Sequence, residues 1–171
     1  LKKFATENAD HPRAAFANFE VGQLLLERAR STVWEAESPA AASRKSELLQ
    51  SARGLIDQAK GIYQVAFDQY SALNDKYPAF IDRDEEPDLF QERNQVLLRK
   101  LRSQYQLARC TYERGQTFEM GSQERNETLI RASSEFEKIY QENRSTPLGR
   151  LSNLMRGKCF QEQGDLLSQM E

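Results

Sequence analysis

Catalysis at a protein surface needs a nucleophile, a proton carrier or a metal, and this chain of 171 residues supplies few of them. His11 is the sole histidine, so a Ser/His/Asp or Cys/His engine would have to be assembled at the start of the first element. A two-metal carboxylate centre in a helical bundle uses Glu-x-x-His on two helices, which one histidine cannot satisfy. No Gly-rich phosphate loop occurs; Gly54 and Gly61 fall inside a helical pattern and read as packing positions. Cys110 and Cys159 leave two readings open. They are either small buried side chains or a disulfide between neighbouring units, which requires Cα atoms within ~7 Å. The expectation is a chain with no catalytic residue, no metal and no cofactor.

Composition narrows the partners. Lys and Arg total 24 against 26 Asp and Glu, so the basic excess that marks a nucleic-acid binder is missing. The charges are mixed in sign, as on solvated helix faces. No apolar run is long enough to insert in a membrane. The length suits one domain with a sizeable core. Because the chain starts at Leu1 without Met, it reads as an excised piece of a longer protein.

The elements are helical throughout, since no alternating strand pattern or hairpin turn signal occurs. Residues 1–11 read as a frayed lead-in, with an Asp10 cap and Pro12 opening the first helix. Ala15, Phe19, Gly22, Leu26, Ala29, Val33 and Ala36 form one stripe, with Trp34 covering its edge. Ser38-Pro39 repeats the cap-and-proline signal. The second stripe is Leu48, Ala52, Leu55, Ala59, Ile62, Ala66, Tyr70, Leu73 and Tyr77, flanked by Leu49, Ile56, Tyr63 and Phe67. A helix over 40–77 would be ~57 Å long unless Gly54 and Gly61 bend it. Pro78 closes it.

After an acidic connector, Pro87 opens a third helix with Phe90, Leu97, Leu101, Tyr105, Ala108 and Tyr112 inward and Gly115 as its left-handed stop. Residues 116–125 are the least determined, with Gly121-Ser122 ahead of a fourth helix carrying Leu129, Ala132, Phe136, Ile139 and Tyr140. Thr146-Pro147 starts a fifth helix, bearing Leu148, Leu151, Leu154, Met155 and Phe160 and closed by Gly164; Asp165 caps a truncated sixth. A single domain over 12–171 then divides into helical hairpins at 12–78, 87–143 and 147–171.

The third and fifth helices echo one another. LARCTYERG at 107–115 aligns with RGKCFQEQG at 156–164, so that Cys110 matches Cys159, Glu113 matches Glu162, Gly115 matches Gly164 and Arg109 matches Lys158. A second echo pairs Ala66, Tyr70 and Leu73 with Ala132, Phe136 and Ile139. A small residue lets helices approach, an aromatic fills the gap, and a glycine permits the turn. The small residue, aromatic and glycine at Gly157, Phe160 and Gly164 resemble a tetratricopeptide repeat, and Ala108 and Gly115 match it in the other unit. The C-terminal half is similar to divergent repeats of bacterial cell-envelope proteins, of the outer-membrane assembly lipoprotein and Tol-Pal coordinator type. The period departs from the family: Cys110 and Cys159 lie further apart than the usual ~34 residues.

That resemblance implies an all-α, TPR-like superhelix of about five to six antiparallel helices, with unusually long N-terminal helices. It implies a concave face presenting Arg102, Tyr105, Arg109, Tyr112, Glu113, Lys158, Gln161 and Glu162. Such a face would take a protein or peptide partner, acidic or C-terminal in character. The family's asparagine-containing carboxylate clamp has no counterpart at these positions. The expected function is a non-catalytic interaction module or scaffold, with a lean towards the bacterial periplasm or envelope. The alternative is a structural spacer or oligomerisation domain that self-associates through the second helix, over 52–77.

Overall fold

A computed structural model of the chain describes residues 13–163. Five α-helices follow in order: α1 Ala14–Glu37, α2 Lys45–Asn74, α3 Pro87–Gly115, α4 Gln123–Glu142 and α5 Pro147–Gln163. A 3-10 segment, Pro39–Arg44, joins α1 to α2, and no strand occurs among the described residues. The expected Asp10 cap, His11, the Gly164 stop and the sixth helix lie outside them.

Each helix packs antiparallel on the next. Asn18 Nδ2 donates to Gln69 Oε1 at 3.0 Å, tying the start of α1 to the end of α2. Lys60 meets Thr111 and Lys100 lies over Phe67, which fixes α2 against α3 in the same sense. Tyr105 stacks on Phe136 and Gly115 faces Leu129, so α4 runs back along α3. Arg156 pairs with Glu137 to set α5 on α4. Beyond these sequential pairs, α1 touches α3 and α3 touches α5, while α1 and α5 do not meet.

Two principal cores result, with α3 contributing to both. Leu26, Ala29, Ile56, Ala59, Tyr63 and Cys110 close the space between α1, α2 and α3. Leu101, Tyr105, Ala108, Tyr112, Leu129, Ala132, Phe136, Ile139 and Cys159 close the space between α3, α4 and α5. Full burial of a side chain such as Leu26, Leu129 or Phe136 contributes roughly 1.5–3 kcal/mol each.

The helix ends follow local chemistry. Pro87 sits in the first turn of α3, where its missing N–H removes no bond. The Ser122 hydroxyl accepts from the Arg125 N–H at 3.2 Å, and Thr146 Oγ1 accepts from the Gly149 N–H at 3.0 Å. Ser38-Pro39 opens the 3-10 segment, and the α-helix proper starts at Lys45, later than the sequence signal implied.

Several sequence expectations need correction. α2 is one unbroken helix; Gly54 and Gly61 are exposed with nothing within 4 Å of a Cβ built there, so they are not packing sites. Ile56 and Tyr63, expected on the flank, are buried in place of Leu55 and Ile62. Gly115 keeps helical geometry, and its role is to admit Leu129, whose Cδ2 would lie 3.0 Å from an added Cβ. The positive φ occurs at Gly121, at 78°. Trp34 is 71% exposed and covers no core, and Leu154 is 68% exposed on α5. A Cβ at Gly157 would have no neighbour within 4 Å, so the close approach expected there is absent. It occurs at Gly149, where an added Cβ would lie 1.9 Å from the Asn143 carbonyl oxygen.

Candidate functional site

Five of the sequence-nominated residues, Arg109, Tyr112, Glu113, Lys158 and Glu162, gather on the side where α1, α3 and α5 lie in turn. Two carboxylates organise it. Glu113 on α3 accepts Arg30 of α1 at 3.4 Å and Arg109, one turn earlier on its own helix, at 3.6 Å. Arg109 also reaches Glu27 on α1, at 3.8 Å. Burial pushes the Glu113 carboxyl above the usual carboxylate range, and the cations of Arg109, Arg30 and Lys158 pull it back only in part.

Glu162 on α5 is the second node. Tyr112 Oη and Gln116 Nε2 both donate to it, and Arg125 Nη2 lies 3.0 Å from its Oε2. Arg125 is 7% exposed, and its other bonds go to the Gly115 carbonyl at 3.2 Å and Gln116 Oε1 at 3.0 Å. One buried guanidinium thereby joins the end of α3, the start of α4 and the end of α5. Lys158 Nζ sits 5.3 Å above the Tyr112 ring and 4.0 Å from Glu162. Burial, and then the Glu162 carboxylate, hold the Tyr112 phenol firmly protonated.

The two nodes repeat each other. Arg109 and Glu113 make the same one-turn pair on α3 that Lys158 and Glu162 make on α5. Each glutamate reaches back to the helix two before it: Glu113 to α1, Glu162 to α3. Among the remaining nominated residues, Tyr105 is buried against Phe136, ring centres 5.7 Å apart, whereas Arg102 and Gln161 are exposed. The structure brings Arg109, Tyr112, Glu113, Lys158 and Glu162 into the two nodes, with Lys158 at the exposed edge of the second, and leaves Arg102 and Gln161 facing solvent.

On the side where α2 meets α3 and α4, Lys60 Nζ donates to Thr111 Oγ1 at 2.6 Å and lies 3.4 Å from Glu135, while Arg114 pairs with Asp57. A cavity of about 250 Å³ opens there above Cys110. Both cysteines are free and buried, so the disulfide reading does not hold. Burial pushes both thiols up to about 12. At neutral pH they stay protonated, and the Tyr112 phenol acts as a hydrogen-bond donor to Glu162.

Among the described residues no group of three or more His, Cys, Asp or Glu side chains is placed to hold a metal ion. No described helix is long and apolar enough to cross a membrane. No protein-family model, curated protein or solved structure matches the chain.

Sequence reasoning missed Gln116 and Arg125, which lie in the stretch with the weakest periodicity. The signal for Arg125 was the Ser122 cap, which fixes the helix start three residues ahead of it. Arg30 and Glu27 were missed because their partner helix is far away in sequence.

Proposed function

We propose that the chain is a non-catalytic interaction module, an open-ended TPR-like stack of antiparallel helix pairs that holds a partner protein along the α1–α3–α5 side. The supporting observation is the recurrence of one arrangement on α3 and α5. A base, a buried cysteine and a glutamate take the same places, each set anchored on the helix two before it. A unit that repeats its contacts in this way can be stacked, and the layer of odd-numbered helices becomes a continuous face.

Glu113 with Arg30 and Arg109, and Glu162 with Arg125, are compensated within that face, which makes it a stiff platform. The positions left to meet a ligand are Arg102, Lys158 and Gln161, with Leu154 exposed on the same helix as the last two. An exposed lysine one turn after an exposed leucine suits an acidic segment with a hydrophobic anchor.

The test is a titration of labelled acidic and basic peptides against the chain, followed by the same titration with Lys158→Glu/Gln161→Glu. Binding of acidic peptides alone, lost in the double variant with helical circular dichroism unchanged, supports the reading. Equal binding by both peptide classes, or by the double variant, removes it. Self-association through α2 receives less support, because Leu48, Ala52, Ile56, Ala59, Tyr63, Ala66 and Tyr70 are already buried within the chain.

A further inference from the structure

The cleft above Cys110 is built from one short pattern used three times. Asp57 and Lys60 lie one turn apart on α2, Thr111 and Arg114 on α3, and Thr128 and Arg131 on α4. A spacing of three residues puts both members of a pair on one face of their helix. All six line the same cavity of about 250 Å³. Each helix therefore gives it one short polar side chain and, a turn later, one cation.

The interior of the cleft is buried and uncharged. Ile56, Cys110, Thr111 and Thr128 line it and are all buried, and burial keeps the Cys110 thiol protonated. The cations stand nearer the solvent. Lys60 and Arg114 are part exposed and Arg131 is exposed, so a solute can reach them.

The charges around the cleft do not balance. Arg114 pairs with Asp57, which is 58% exposed, and an exposed pair of this kind is weak. Lys60 lies 3.4 Å from Glu135, longer than a strong charge-assisted bond of ~2.8 Å. Glu135 stands one turn beyond Arg131 on α4 but answers Lys60, and Arg131 is in no ion pair among the described residues. Three cations from three helices thus meet two carboxylates, and the uncompensated one lines the cavity. An anion taken up there relieves the repulsion among the cations, and it does so more strongly beside a buried apolar wall than in open water.

We infer that this cleft binds a small oxyanion of the phosphate class, either the free ion or the monoester of a small molecule. Lys60, Arg114 and Arg131 come from three helices, so their donors surround a point and do not lie in one plane. The oxygens of a tetrahedral phosphate can each take a different donor, whereas a planar carboxylate offers two oxygens on one side. Arg131 brings a free guanidinium fork, suited to two of those oxygens. Lys60 Nζ donates to Thr111 Oγ1 at 2.6 Å and has further N–H groups to turn to the anion. The cleft shares no residue with the face proposed above for a peptide.

The test is isothermal titration of the chain with sodium phosphate and with glycerol phosphate, against sodium chloride at matched ionic strength. Phosphate or its ester binds saturably at one site, chloride does not, and the tighter of the two identifies the source. Arg131→Gln, at an exposed position, weakens binding about ten-fold, because one charge-assisted contact is lost. Arg131→Glu abolishes it, with the helical circular dichroism and the melt in phosphate-free buffer retained. Binding no better than chloride overturns the inference, and so does an affinity unchanged in Arg131→Glu. A melting temperature raised equally by phosphate in wild type and Arg131→Glu, without saturable binding, is general salt stabilisation and also overturns it. Lys158→Glu/Gln161→Glu leaves phosphate binding unchanged, so the cleft and the peptide face fail or stand separately.

Discussion

Cys110 on α3 and Cys159 on α5 are each turned toward the helical hairpin that precedes their own helix. Cys110 on α3 joins Leu26, Ile56 and Tyr63 of α1 and α2, and Cys159 on α5 joins Leu129, Phe136 and Tyr112 of α3 and α4. Both are fully buried. Their equivalence is one of packing, since they lie in different cores and carry free thiols.

The first prediction is chemical. With both thiols pushed up to about 12 by burial, a thiol-specific reagent at neutral pH modifies neither in the folded chain on the timescale of its reaction with free cysteine. Both react promptly in denaturant. Mass spectrometry of the labelled protein reads the outcome, and fast native labelling of Cys110 would show that its core opens.

Glycine substitutions separate by sign. Gly149→Ala drives a methyl into the Asn143 carbonyl and lowers stability by about 2 kcal/mol or more, since the neighbour is backbone. Gly54→Ala and Gly61→Ala, both mid-helix beside open space, each raise it by about 1 kcal/mol. Urea midpoints of the three variants test both directions.

Glu162→Ala removes the carboxylate that compensates a guanidinium whose side chain is only 9% exposed. The loss is about 3 kcal/mol, in the range for an uncompensated buried charge. Arg125→Met/Glu162→Leu recovers part of it. A double variant as unstable as the sum of its singles would show that the two residues do not act on each other.

Tyr63 gives the opposite result to a usual truncation. Its ring lies on Gly22, where an added Cβ would come 2.9 Å from Cε1, yet its buried hydroxyl has no hydrogen-bond partner among the described residues. Tyr63→Phe keeps the packing and removes an unsatisfied group, so stability holds or rises by up to about 1 kcal/mol. A fall in the melting temperature would reveal a partner for that hydroxyl.

Glu113 makes stability depend on pH in a stated direction. Its folded carboxyl binds a proton more readily than an unfolded one, so its protonated form favours the fold. That contribution is full below the ordinary carboxylate range and is lost as pH rises through the raised folded value. Glu113→Gln mimics the protonated form. Its stability relative to wild type therefore grows between pH 4 and pH 7, as paired denaturant titrations at about those two values will measure.

Helix content was legible because each apolar stripe follows the helical period, and the caps at Ser122 and Thr146 were marked by residue type. The face of α2 was harder to place. Leu55 and Ile56, and again Ile62 and Tyr63, are adjacent apolar pairs, and only the pocket left by Gly22 decides that Tyr63 turns inward. Trp34 misled because hydrophobicity predicts burial only where a neighbouring element exists to provide it. The nominated side was found through the echo of Arg109, Cys110 and Glu113 in Lys158, Cys159 and Glu162. Its anchors Arg30 and Arg125 come from other helices, and no short-range pattern announces them. Gly149 had no signal either, because its constraint is one carbonyl oxygen across a turn.

The two-sided burial of α3 has a mechanical consequence. It is the common wall of both cores, presenting Leu107 and Cys110 to one and Tyr105 and Tyr112 to the other. Neither half of the chain can be excised by cutting at the connector before α3 without stripping α1 and α2 of their third side. Melting of one half likewise exposes apolar surface belonging to the other, so heat should remove both in one cooperative step.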